Sequence, residues 1–147
     1  NRNTALYGAV FLLMLDRFAK QAALHVWSQQ PVTLIPNFLS LSFSKNFFVA
    51  FSFNTHIDPL ILIIPIMLLL IGSAVTLWRR QRTDALPLLF IIAGAASNLY
   101  DRIVYGYVID YFDCQFFTVF NIADAMITVG VVWLLLSSYL QKKEGAA

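Results

Sequence analysis

The sequence predicts a membrane α-helical protein: a four-transmembrane-helix bundle carrying a small extracytoplasmic β-like cradle. Three observations predict it. Hydrophobic residues fill 59% of the 147 positions and charged residues only 12%, about half the usual charged share. The apolar residues gather into runs long enough to cross a hydrocarbon core of about 30 Å. The basic residues collect at the ends of those runs instead of covering a water-facing surface. Length predicts one domain over residues 1–147, with no internal repeat, linker or low-complexity segment. The net charge of +2 is too small and too dispersed for a nucleic-acid partner.

The first span runs from about 4 to 27, apolar as "ALYGAVFLLML" and then mixed as "DRFAKQAALHVW". No small-residue cleavage site follows its apolar part, so it is expected to stay in the protein. An outer segment at 28–58 contains "FLSLSFS", whose period-two alternation predicts a half-buried strand over Phe38–Ser44. The second span, Pro59 to Trp78, has no ionisable residue, and its Pro65 is tolerable inside a bundle. The third, 85–100, ends in Gly94, Ala95, Ala96 and Ser97, small residues that permit close helix packing. In the outer segment 101–122, the β-branched and aromatic run "VYGYVIDYF" predicts a second strand over Val104–Phe112. Two strands are marginal alone and would rest on the bundle and the headgroups, with the aromatics in an interfacial belt. The last span is 125–140.

The flanks set the direction. "WRRQR" at 78–82, "QKKE" at 141–144 and Arg2 hold most of the Lys and Arg, so both termini are expected in the cytoplasm. The acid-rich stretch 101–113 then lies at the outer membrane–water boundary. The lone Cys114 cannot form an internal disulfide, and no Cys/His cluster suggests a metal or other cofactor. His25 and His56 stand alone and are expected to be interfacial or packing residues.

Four acids need explaining, because each resists burial unless paired, hydrated or used. Asp16 and Lys20, four apart on one helical face, are expected to pair structurally. Asp101 and Arg102 close the third helix. Asp110 follows "YVI" and Asp124 opens the last helix after "FN", so the short loop between them can bring their carboxyls together. Two carboxyls in a small, partly dry site share one proton, which allows aspartic-protease chemistry on a peptide bond. Spacing alone leaves two other readings open: Asp124 as a helix cap with Asp110 in a wet loop, or an outer pair that binds cations or relays protons.

"NLYDRIVYGYVIDYFD" followed by "FNIADAMITVG" closely resembles the C-terminal signatures of the lipoprotein signal peptidase (signal peptidase II) family. "LDRFAK" is similar to its first-helix Asp…Lys motif, and "KNFFVAFSF" to its Asn-containing outer segment. The resemblance covers nearly the whole chain in order. It implies an intramembrane aspartyl endopeptidase of the bacterial inner membrane, active near the outer face. Its substrate would be a diacylglyceryl-modified prolipoprotein, cut before the lipidated cysteine. Membrane lipids and the peptide antibiotic globomycin are further implied partners. By motif match Asp110 and Asp124 become the catalytic dyad, with Asn46, Asn98, Arg102 and Asn121 lining the substrate site. Asp16, Lys20 and Asp101 become structural polar residues. The turn around Asn46 would form a lid. The runner-up functions are a noncatalytic transporter-like protein binding cations or protons, and an inactive lipopeptide-binding relative. The chain departs from the pattern at Phe47 and Phe48, where small residues are usual, at Ser97 (Gly), at Tyr111 (Phe) and at Thr118 (Pro).

Overall fold

A computed structural model describes residues 2–47, 59–80 and 85–144. Helix α1, Arg2–Ala22, continues through a π-turn at Ala23–Trp27. Strands β1, Val32–Ile35, and β2, Leu39–Asn46, follow. Helices α2, Pro59–Arg79, and α3, Ala85–Tyr105, precede strand β3, Val108–Cys114, and helix α4, Ile122–Glu144. The strands form an antiparallel sheet in the order β1-β2-β3.

Polarity is inverted relative to a protein in water. Asp16, Lys20 and Asp101 have no exposed surface, whereas Phe18 on α1, Leu69 on α2 and Leu135 on α4 are 74%, 71% and 65% exposed. Lipid solvates such a surface and water does not. Among the described residues three helical stretches are long and apolar enough to cross a membrane: Leu60–Arg79, Ala85–Tyr105 and Ile122–Gln141. Helix α1 has a similar length but carries Arg2, Asp16, Arg17 and Lys20.

Helix α3 is central and packs on α1, α2 and α4. Its contact with α4 depends on two glycines. A Cβ at Gly94 would overlap the Ala123 carbonyl oxygen, and one at Gly130 would lie 2.6 Å from Ile91 Cγ1 and 2.9 Å from the Pro87 oxygen. Gly94→Val should therefore destabilise the fold by about 1–3 kcal/mol, the usual cost of overpacking. Gly72→Ala is the control, because nothing lies within 4 Å of a Cβ there. Thermal unfolding in detergent measures both, and an unchanged Tm for Gly94→Val would remove the close approach from the account.

The elements differ from expectation at their edges, for local reasons. Helix α3 runs through Tyr105 and not to residue 100, so Val104 is helical and β3 begins at Val108. Gly106 sets that boundary: it adopts φ +79, and its N–H caps the Arg102 carbonyl at 3.1 Å. Helix α4 starts at Ile122, ahead of the expected 125, because Asn121 caps it. An additional strand, β1, pairs with β2 through a turn at Pro36-Asn37, where Asn37 has φ 56. The cradle is thus three-stranded. Phe48, His56, Gln81, Arg82 and most of the expected lid after Asn46 lie outside the described residues.

Candidate active site

Two polar layers meet where α1, α3, β3 and the start of α4 converge. The deeper layer is a closed charge cluster. Lys20 Nζ lies 3.1 Å from Asp16 Oδ2 and 2.7 Å from Asp101 Oδ2, and donates to Asn98 Oδ1 at 2.8 Å. Arg17 pairs with the other Asp101 oxygen at 2.5 Å. Two cations thus balance two acids, the condition under which buried charge is tolerable.

Asp16 accepts from four donors, the full capacity of a carboxylate. Ser97 Oγ (2.6 Å) and Lys20 reach Oδ2, while the Tyr111 hydroxyl (2.9 Å) and the Ala123 N–H (3.1 Å) reach Oδ1. Two of the departures from the family pattern, Ser97 and Tyr111, are therefore the two hydroxyls on this one carboxylate. Burial, reinforced by the adjacent Asp16 charge, holds the Tyr111 phenol far above its ordinary pKa and keeps it a neutral donor. Among the described residues no buried side-chain nitrogen or oxygen lacks a hydrogen-bond partner.

The outer layer holds Asp110 and Asp124. Asp110 sits on β3 opposite Ser44 of β2, so Asn46, two residues along, is its diagonal neighbour on the same sheet face. Asn46 Nδ2 donates to Asp110 Oδ2 at 2.9 Å and Asn121 Nδ2 to Asp110 Oδ1 at 2.6 Å. Asp124 closes a capping box with Asn121: its N–H donates to Asn121 Oδ1 at 2.8 Å, and its Oδ2 accepts the Asn121 N–H at 3.3 Å. Asn98 Nδ2 donates to the other Asp124 oxygen at 2.8 Å. The cap of α4 is thus Asn121, and Asp124, three residues on, reaches back to it while the same carboxylate faces Asn98 and shares Asn121 with Asp110. Asp110 is not in a wet loop; it is 2% exposed.

Burial pushes the Asp110 carboxyl up to about 6, the Asp124 charge adds to the rise, and the Asn46 and Asn121 hydrogen bonds oppose it. Arg102 stands in the field of Asp124, Asp110 and Asp101 and donates weakly to the Asn98 carbonyl at 3.4 Å. Asp110, Asp124, Asn46, Asn98, Arg102 and Asn121 therefore meet in one place, with Asp16, Lys20 and Asp101 beneath them. Sequence reasoning missed Arg17, Ser97 as a ligand of Asp16, and Tyr111. The signal for Arg17 was its own charge, since an Arg beside Asp16 inside an apolar segment needs a partner. Among the described residues no group of three or more His, Cys, Asp or Glu is placed to hold a metal. Phe47, beside Asn46, is exposed and meets the Tyr107 ring at a tilt of 60°, with centroids 5.5 Å apart.

A family described as signal peptidase (SPase) II matches residues 8–140. A relative named lipoprotein signal peptidase from Allorhizobium ampelinum is 36% identical over 138 residues, covering 88% of this chain and 83% of its own. One of the same name from Caldicellulosiruptor bescii is 36% identical over 132 residues, covering 90% and 86%. Another from Pseudomonas aeruginosa is 31% identical over 159 residues, covering 97% and 91%. A solved structure described as a bacterial membrane enzyme, determined in meso at 2.3 Å, superposes with a TM-score of 0.81 at 23% identity. That superposition covers 99% of this chain and 92% of the other, and speaks to the fold alone.

Proposed function

The chain belongs to the signal peptidase II family, and from that premise we propose that it is an intramembrane aspartyl endopeptidase. It removes the signal peptide of diacylglyceryl-modified prolipoproteins, cutting before the lipidated cysteine. The observation that carries the reading is Asn121, which holds both acids at once: its Nδ2 on Asp110 and its backbone N–H on Asp124.

Asp110 and Asp124 share one proton. The ionised member takes a proton from water as the oxygen attacks the scissile carbonyl, and the protonated member donates toward the carbonyl oxygen. Collapse of the tetrahedral intermediate breaks the C–N bond, and the leaving amine receives a proton from the pair. Asn46, Asn98 and Asn121 hold the carboxylates in place with neutral donors, so the pair keeps its negative charge available. Arg102 offsets that charge and is placed to stabilise the developing oxyanion.

The chain acts as one domain with α1 as its fourth span. The charges of α1 face inward onto α3, which permits a helix of this composition in lipid. The basic flanks put both termini in the cytoplasm of a bacterial inner membrane and the acids near the outer face, where water reaches the bond and lipid holds the acyl chains. Globomycin would bind over the same two acids, with Phe47 beside Asn46.

Purified full-length protein in lipid should cleave a diacylglyceryl-modified prolipoprotein, and mass spectrometry should place the new N-terminus at the lipidated cysteine. Equal cleavage of the unlipidated precursor, or cleavage elsewhere, would overturn the proposal. The pH profile adds a second check. Activity needs one acid ionised and one protonated, so it declines as the second proton leaves. The basic limb of kcat/KM should therefore lie at or above about 6, well over the ordinary 3.8. Substrate dries the pair further, so the basic limb of kcat should lie higher still. A limb near 4 would show that the pair is neither dry nor coupled, and would overturn the shared-proton reading.

A further inference from the structure

We propose that Tyr111 is a positioning residue, whose hydroxyl ties the strand carrying Asp110 to the first turn of the helix carrying Asp124. The proposal rests on the reading of those two acids as the reacting pair. Tyr111 directly follows Asp110 in β3, so any force on its side chain acts on the backbone that places that carboxylate. Its hydroxyl accepts the Ile122 N–H at 3.0 Å and donates to Asp16 Oδ1 at 2.9 Å. The same Asp16 oxygen accepts the Ala123 N–H at 3.1 Å, and Asn121 Oδ1 accepts the Asp124 N–H at 2.8 Å.

Each of the first three N–H groups of α4 therefore has a partner from a different element: Tyr111 from β3, Asp16 from α1 and the capping Asn121. A free helix leaves such donors to water. Here they fix where the turn carrying Asp124 lies relative to β3. Asn121 ties the cap of that turn to Asp110 and to the Ile109 carbonyl at 3.2 Å, and Tyr111 adds a bond from the residue after Asp110 to an N–H of the turn itself. The ring is buried and packs on Trp27 and Phe112, with centroids at 5.9 Å and 4.9 Å, so it has little freedom to release the hydroxyl. Ser97 completes the arrangement from α3 by occupying the other Asp16 oxygen at 2.6 Å. A phenylalanine at 111 would fill the same space and could make neither hydrogen bond.

Tyr111→Phe keeps the ring and tests the hydroxyl alone. With rates normalised to folded protein, kcat for a diacylglyceryl-modified prolipoprotein should fall about 10- to 100-fold, the scale of a misplacement of about 1 Å, while KM stays within about twofold. Amide exchange of the folded variant should show faster exchange at Ile122, whose N–H has lost its acceptor. Tyr105→Phe is the control: its hydroxyl meets only the exposed Gln21 amide at 3.3 Å, so neither quantity should move. A purely structural role for Tyr111 would lower Tm and leave the kcat of folded protein alone, and that result overturns the proposal. So does a fall in kcat with unchanged exchange at Ile122, since the effect would then not pass through α4. If the unaltered protein cleaves nothing, the peptidase reading fails, and exchange at Ile122 still decides whether the tie exists.

Discussion

Asp110→Asn and Asp124→Asn should each lower cleavage of a diacylglyceryl-modified prolipoprotein by about 10²- to 10⁴-fold, with substrate binding largely retained. The two losses should not multiply. In the proposed mechanism the two carboxyls share one proton, so removing either destroys the unit, and the double variant should be about as slow as each single one. Under the proposed function, binding should survive because Asn46, Asn98 and Arg102, the proposed substrate-site residues, are unchanged. The cleavage rate of each folded variant, with its Tm as a folding control, tests this. Activity within about tenfold of the original in either variant would remove that acid from the chemistry. Losses that multiply in the double variant would mean that the two acids act in separate steps.

The approach of these two acids was legible because both signals are local. Asp110 ends a β-branched stretch, Asp124 opens a helix, and few residues separate them. The Asn121–Asp124 capping box is equally local, and its fixed three-residue spacing can be read from "NIAD". The remaining contacts cross the fold. Ser97 reaches Asp16 over 81 positions, Tyr111 over 95, and Arg17 reaches Asp101 over 84. No periodicity encodes such contacts, and Asn98 and Asn46 came to the site by resemblance, not by spacing. The same limit explains the cradle. "FLSLSFS" alternates and could be read as a strand, whereas β1 is fully exposed along its length and carries no burial pattern to read. Its signal was the Pro36-Asn37 turn. At the other end of the site, Gly106 was the available mark for the end of α3, hidden inside a run of strand-forming residues.

The largest loss of stability should come from Lys20→Met, which keeps most of the side chain's volume and deletes its charge. Lys20 is fully buried, and its ammonium serves Asp16, Asp101, Asn98 and, at 3.4 Å, Ser97. Without it, Arg17 alone faces two carboxylates, and one negative charge is left in a site that water does not reach. Breaking a buried pair in this way costs about 3–5 kcal/mol, enough to lower Tm by about 10 °C or more in a domain of this size. Activity should fall as well, through Asn98. The ammonium at 2.8 Å and Asn121 Nδ2 at 3.3 Å both hold Asn98 Oδ1 and so turn its Nδ2 toward Asp124; losing the shorter, charged bond loosens that orientation. Adding Asp16→Asn to Lys20→Met restores the charge balance and should recover part of the stability. It should recover less of the activity, because Asn98 Oδ1 has then lost the 2.8 Å ammonium bond and keeps the longer one from Asn121 Nδ2 at 3.3 Å. Thermal unfolding and cleavage measured on the same preparations separate the two effects. A Tm for Lys20→Met within about 2 °C of the original would mean that the cluster is hydrated, and burial could not then be its reason for pairing.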